Sequence, residues 1–302
     1  MNKINQGIIL FKMNRSLLSD YFSENQTKTE FRNCDSWVIL SPIEQSIKRK
    51  IEEVGTPLKD WDINIYRGIL TGYNEAFIIS GEKRTELLAA CGTEKERIRT
   101  DELIRPILRG RDIKRYNYEF ADLWLINTHN GIKEKGISRI DIGDYPTIKA
   151  HLDQYWDQIS TRADKGDTPY NLRNCAYMDD FNKQKIVWIE LTDHPNFALD
   201  EKGYFINNTV FFMTGKNLKY ILAFLNSKLC EWYFDKICAT SGVGTRRWIK
   251  MYIDKIRLPL LTDAQMSDIS KYVDSYNGTD IDSAFYKIFS FGQDEIKVIE
   301  GN

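Results

Sequence analysis

The sequence predicts a mixed α and β fold that ends in a helical segment. Three observations carry this. Short β-branched and aromatic runs recur between polar turns, as at Ile65–Arg67, Lys185–Glu190 and Asn207–Met213. Between them lie stretches with apolar residues at helical spacing, the clearest being Leu218, Ile221, Leu222, Leu225, Leu229 and Trp232. From Thr262 onward the pattern is helical and more polar.

In chain order, Gly7–Phe11 and Trp37–Leu40 are short strand candidates, with a polar loop between them. Ser41-Pro42-Ile43-Glu44 is a helix start: Ser caps, Pro fits the first turn, and Glu completes a capping box. The helix runs to Val54, with Ile43, Ile47, Ile51 and Val54 on one face, and stops at Gly55-Thr56-Pro57. Residues 65–80 form two apolar runs around Thr71-Gly72-Tyr73-Asn74, the pattern of a β-hairpin, with Arg67 and Asn74 bracketing the turn. A purely structural hairpin is the plainer reading of that stretch taken alone. Glu82–Ala90 and a segment capped by Thr100 read as short helices.

Leu103–Tyr116 follows, holding Arg105, Arg109, Arg111, Lys114 and Arg115 against one acid, Asp112. Gly110 gives a turn at which a phosphate could approach closely. Ala121–Asn127 is a buried strand and Asp144–Ile159 a helix, in which His151 is a satisfied or surface histidine rather than a ligand. Phe197–Asp200 and Tyr204–Ile206 flank a second hairpin turn. Leu218–Phe234 is one long helix, Ser241–Thr245 a glycine-hinged loop leading into Arg246, Arg247, Trp248 and Lys250, and Ile256–Leu261 a closing strand.

Composition narrows the function. The 302 residues carry 42 basic and 43 acidic side chains, a net charge of -1, which excludes a basic field over the whole surface. A nucleic-acid site must then be a local stripe. Five scattered cysteines without a CxxC pair, and three histidines away from metal spacing, point to reduced thiols in a cytoplasmic protein without a metal site. No apolar run reaches the ~18 residues of a membrane span.

Catalytic motifs are near misses. Asp167-Thr168-Pro169-Tyr170 differs from the Asp/Asn-Pro-Pro-Tyr tetrapeptide of adenine N6-methyltransferases by Thr168, and no glycine-rich loop for S-adenosylmethionine precedes it. Asp112-Ile113-Lys114 is like the tail of a nuclease motif without its upstream acid. Ser241–Thr245 lacks the Gly-Lys-Ser/Thr ending of a P-loop.

Several segments, in order, resemble the TaqI-like C-terminal specificity domain of type IIG restriction–modification enzymes and adenine-specific DNA methyltransferases. They are Pro57–Trp61 with Ile65–Ile79, Leu108–Ile113, Tyr145–Ile148, Lys185–Val187 with Phe197–Val210, Tyr220–Leu229, and Leu258–Leu260, spanning residues 36–262. The resemblance implies an α+β fold with a twisted, mainly antiparallel sheet and flanking helices, similar to the recognition domains of type I specificity subunits. It implies duplex DNA as partner and no chemistry in this chain. Methyltransferase and nuclease domains, with S-adenosylmethionine and possibly Mg, are expected in missing upstream parts of a parent methyltransferase or endonuclease. The expected organisation is an entry segment over 1–35, a recognition domain over 36–262 and a helical tail over 263–302.

A recognition domain needs phosphate contacts for register and base contacts for choice. Arg105, Arg109, Arg111, Lys114 and Arg115 form one candidate basic cluster, and Thr245, Arg246, Arg247 and Lys250 another. Arg67, Thr71, Gly72 and Asn74 are the candidates for close approach to the duplex. Two other functions compete: a complete small DNA-modifying enzyme, and a docking module of a methyltransferase complex presenting Tyr272, Tyr276, Phe285, Tyr286, Phe289 and Phe291.

Overall fold

The computed structural model describes residues 40–238 and 245–301. The strand candidates at Gly7–Phe11 and in 37–39, the segment 1–35, Cys34 and the loop 241–244 lie outside the described residues. Helix α1 (Pro42–Val54) begins as the sequence predicts. Ser41 accepts from the Glu44 amide, and the Glu44 carboxylate accepts from the Ser41 amide at 2.8 Å. Strand β1 (Gly55–Pro57) follows and pairs antiparallel with β12 (Arg257–Pro259), some 200 residues further along the chain.

Strand β2 (Ile63–Arg67) does not turn back into a hairpin. The Gly68 amide donates to Val210 O and the Ile69 amide to Ile206 O, both at 2.8 Å, so the chain crosses to a second sheet. There Asn74–Phe77 is a single helical turn, α2, leading into β3 (Ile78–Ser80). Helices α3 (Gly81–Ala89) and α4 (Glu94–Leu103) come next; α4 is capped by Thr93 rather than Thr100, which is buried inside it. Strands β4 (Ile104–Leu108) and β5 (Leu123–Ile126) follow. The helix expected over 144–159 divides into α5 (Pro146–Asp153) and α6 (Trp156–Thr161).

The remaining strands are β6 (Lys185–Ile189), β7 (Leu191–Thr192), β8 (Phe197–Asp200), β9 (Phe205–Ile206), β10 (Val210–Gly215) and β11 (Arg246–Arg247). They sort into two four-stranded sheets, β2-β10-β6-β8 and β3-β5-β4-β9; β7 and β11 make a separate short pair. The ladders are antiparallel except β4–β9. The second expected hairpin is again a crossing, because β8 edges the first sheet while β9 joins the second. Its turn is held by buried Asp200, which accepts from the Lys202 and Tyr204 amides at 2.9 Å and pairs with buried Lys185.

The first sheet separates two hydrophobic cores. Ile186 and Trp188 of β6 face one core and Val187 the other; Met213 and Phe212 of β10 divide likewise. Alternate strand residues point to opposite faces, so a strand covered on both faces is apolar throughout, as Ile186–Ile189 is.

The predicted helix over 218–234 is two: α7 (Leu218–Leu225) and α8 (Lys228–Ile237). Asn226 breaks it. Its amide accepts from Phe197 N at 3.1 Å and donates to Phe197 O at 2.9 Å, standing in for a strand partner at the edge of β8. Ser227 then caps α8. After α9 (Lys250–Ile253) and β12, helices α10 (Asp263–Asp274), α11 (Gly278–Ile288) and α12 (Gln293–Glu300) pack on α7, α8 and α1. Phe285, Tyr286 and Phe289 are buried in that shared core, and Phe224 meets Phe285 edge-on at 4.9 Å.

Candidate nucleic-acid interface

One end of the first sheet gathers cations from three distant parts of the chain. Arg67 ends β2, and its Nη2 donates to Glu190 Oε2 at 3.1 Å. Arg247 of β11 reaches the other oxygen of the same carboxylate, Nη2 to Oε1, at 2.8 Å. Glu190 is fixed by its backbone, its amide donating to Thr209 O and its carbonyl accepting from the Trp248 amide. Both guanidinia are about half exposed, so their unused N–H groups face water above one shared negative charge. Such planar forks match phosphate oxygens and the major-groove edge of guanine.

Trp248 explains how β11 is held there. It is fully buried, stacks on Phe234 at 3.7 Å between ring centroids, and accepts from Trp188 Nε1 through its carbonyl at 2.7 Å. The tryptophan anchors the arginine pair; it is not a surface ring available for stacking on bases.

The loop after β4 comes to the same end. A Cβ on Gly110 would lie 2.8 Å from Ile189 Cδ1 and 3.1 Å from Thr209 Oγ1, so the loop rests closely on the β6 end and a larger residue would press on those side chains. Within it, Arg109 is engaged with Asp112 through Nε–Oδ2 at 3.1 Å and Nη2–Oδ1 at 2.9 Å. That pairing also takes up the acid of the nuclease-like Asp112-Ile113-Lys114. Arg111 and Lys114 are exposed, and among the described residues their side chains make no ion pair or hydrogen bond. Arg115 is exposed but engaged, donating to Asn226 O at 2.5 Å and lying over the Tyr116 ring.

The other candidates lie elsewhere or are engaged internally. Arg246, one residue before Arg247, points the opposite way. It chelates Asp235, reaches Glu231 Oε1 at 3.0 Å, and is mostly buried. The Asp235 hydrogen bonds push its already high pKa higher still. Thr245 is half-buried beside it. Lys250 pairs with Asp254 one turn along α9. Arg105 is in the second sheet, donating to Asn182 Oδ1 at 2.9 Å.

Thr71, Gly72 and Asn74 form a tight bend in the crossing from β2 to α2. Thr71 is buried and donates to Asn74 Oδ1 at 2.6 Å; Gly72 has φ +70°. The bend is fixed by Arg162, at the C-terminal end of α6. Its buried guanidinium donates to Thr71 O at 2.6 Å, Asn171 O at 2.6 Å and Pro169 O at 3.0 Å, and lies over the Phe77 ring. Burial without an acidic partner in contact pushes its pKa down to about 10.

Glu190 and Arg162 are the two organising residues that sequence reading missed. Each is charged and unremarkable in local pattern, and only the partners brought by the fold distinguish it.

The methyltransferase-like tetrapeptide is absorbed in loop bonding. Asp167 Oδ1 accepts from Asn130 at 3.0 Å, Thr168 donates to Asn171 Oδ1, and the Tyr170 hydroxyl donates to Asp153 at 2.6 Å. His151 is buried, with Nε2 3.0 Å from Ala76 O. Among the described residues no group of three or more His, Cys, Asp or Glu side chains is placed to hold a metal, and Cys91, Cys175, Cys230 and Cys238 are free thiols. No helix among them is long and apolar enough to cross a membrane.

The fold and its charged edge define a two-sheet α+β module with an exposed guanidinium cluster. Residues 105–260, just over half of the sequence, match the TaqI-like C-terminal specificity domain, and the chain belongs to that family. The stretch 57–79 lies outside the matched range. Among solved structures, the type IIL restriction-modification enzyme MmeI, solved in complex with DNA, aligns with a TM-score of 0.59 at 10% identity. That alignment covers 80% of this chain and 34% of MmeI. The type IIG restriction endonuclease BpuSI aligns with a TM-score of 0.51 at 14% identity, over 86% of this chain and 32% of its own. These likenesses concern the fold, and the chain spans about a third of either enzyme. No curated protein matches the sequence.

Proposed function

We propose that this chain is a non-catalytic DNA target-recognition module of a type IIG-like restriction–modification enzyme. It binds duplex DNA and positions it for a methyltransferase domain, with or without a nuclease domain, that carries the S-adenosylmethionine and any Mg chemistry. The observation that carries this is the convergence of Arg67 and Arg247 on Glu190, beside the Gly110–Lys114 loop, in a member of a specificity-domain family. In this arrangement Arg111 and Lys114 are the freest cations for phosphate contact. Arg67 and Arg247 are held in fixed orientation, which suits base reading.

The docking alternative loses half of its six aromatic candidates, because Phe285, Tyr286 and Phe289 are buried within the core. The test is fluorescence anisotropy with a random duplex pool at two salt concentrations, followed by sequencing of the retained duplexes. Salt-sensitive binding with an enriched motif is expected. No binding at low salt would overturn the proposal.

A further inference from the structure

A cavity of about 290 Å³ lies away from the Arg67–Glu190–Arg247 cluster, between α4, the ends of β4 and β5, and the segment before α5. Its volume is near the lower end of the roughly 300–1,000 Å³ of small-ligand clefts. Three of its wall residues have a polar side-chain atom that is sealed from solvent and lacks a partner among the described residues: Arg99 Nε, Arg105 Nε and Asn127 Oδ1. Buried polar atoms are rarely left so, and three around one cavity point to a function for it.

Asn127 is the sharpest case. It is 7% exposed, its oxygen accepts nothing, and its nitrogen meets only Met178 Sδ at 3.7 Å. Exchanging the two ends of the amide leaves it short of partners either way. His129 lies in the same wall. Its Nδ1 accepts from the Gly131 amide at 3.1 Å, which places the neutral ring's proton on Nε2, a donor with no acceptor among the described residues. Burial lowers the His129 pKa and favours that neutral form. The rest of the lining is mixed: Tyr145, with Arg99 over its ring, and the apolar Ile132 and Ile140 share it with the acids Glu102 and Asp179, while Phe205 is only 2% exposed, stacked on Phe181 with Arg105 over its ring.

A planar ligand with both donors and acceptors on one edge, and an anionic group at the mouth, matches these walls. An amide reads a base edge through its paired donor and acceptor, the half-buried Tyr145 ring offers a face to it, and arginines take phosphate. We propose that this cavity holds one nucleotide unit, with the base against Asn127 and the phosphate at Arg99 and Arg105. The unit is either a free mononucleotide or a base turned out of a DNA strand. The inference goes beyond duplex recognition and stands without it.

The test titrates the four nucleoside monophosphates into the full chain by calorimetry, with hydrogen exchange followed over residues 127–132. Saturable binding of at least one base is expected, with slowed exchange there. Asn127→Asp, which removes the amide donor, should weaken it at least tenfold, as should Arg105→Gln, with melting temperatures unchanged. If Asn127→Asp does not fold, Arg105→Gln and the exchange data decide.

A second arm uses duplexes carrying 2-aminopurine. A fluorescence rise on binding that Arg105→Gln abolishes assigns the unit to a strand, whereas mononucleotide binding without that rise assigns it to a free nucleotide. Absence of both signals overturns the proposal, as does binding that both variants leave intact. Duplex binding that fails while mononucleotides still bind would sink only the recognition function.

Discussion

Arg67 and Arg247 stand 180 residues apart in sequence, and each donates to a different oxygen of Glu190, at 3.1 and 2.8 Å. The carboxylate holds two cations at fixed separation and leaves the site with one net positive charge. Replacing both arginines by alanine should weaken duplex binding at least tenfold at low salt. It should also make the dependence of log affinity on log salt shallower by about 0.9 for each phosphate that the pair no longer neutralises. Anisotropy over a salt series measures both; an unchanged affinity would remove this pair from the interface.

Arg246 should behave as a structural residue. It is mostly buried and bonded to both Asp235 and Glu231. Arg246→Met leaves two neighbouring carboxylates without their cation and should cost about 2–4 kcal/mol of stability. Arg247→Met, on an exposed side chain, should stay within about 0.5 kcal/mol. Urea denaturation of the two variants checks the contrast; equal losses would contradict it.

Arg162 should control the bend at 71–74. Its fork serves three carbonyls, an arrangement a lysine ammonium cannot reproduce. Arg162→Lys is therefore expected to destabilise the protein by roughly 2–3 kcal/mol. It should speed amide exchange over residues 69–74 well before it affects the first sheet, and hydrogen exchange read by mass spectrometry distinguishes these regions.

Asp282 gives a pH signature. Burial raises its pKa from 3.8 to about 6, only partly offset by the Lys228 amide that donates to it at 2.8 Å. Between those values the folded state holds the proton more tightly than the unfolded state. Stability therefore falls as pH rises through this range, and the penalty is complete above about 6. Asp282→Asn should gain roughly 1–3 kcal/mol at pH 7, and that advantage should vanish by about pH 4. His129 and His151 act in the opposite sense, because burial lowers their pKa values and stability is lost as pH falls below the ordinary imidazole range. The difference between Asp282→Asn and the parent protein, measured by denaturation across pH, isolates the aspartate.

The elements most legible in the sequence are those specified locally. The capping box at Ser41 and Glu44, the Gly55 stop and the β6 run of Lys185–Ile189 stand where their own residues put them. The failures share a cause. Thr71–Asn74 and Glu201–Gly203 have hairpin composition, yet both are crossings between sheets. A turn signal states that the chain bends, and the partner strand is chosen by burial of faces far away in sequence. The helix break at Asn226 is hidden for the same reason, since its partner is Phe197 of β8.

The basic window 105–115 shows the same division in the candidate site. Its charge is plain in the sequence, but its five cations separate. Arg109 is taken by Asp112 and Arg115 by the Asn226 carbonyl. Arg105 lies in the wall of the cavity beside α4, and Arg111 and Lys114 alone stay exposed without side-chain partners among the described residues.

By itself, the sequence determined the mixed α and β class, the near-neutral charge that limits any nucleic-acid site to a local patch, and the family resemblance. Each rests on composition or short-range order. The tertiary structure alone decided which arginines meet. Ion-pair energy falls off over a few ångströms and burial depends on what packs above a residue, so Arg246 and Arg247, adjacent in the chain, point to opposite fates, while Arg67 and Arg247 converge on one carboxylate.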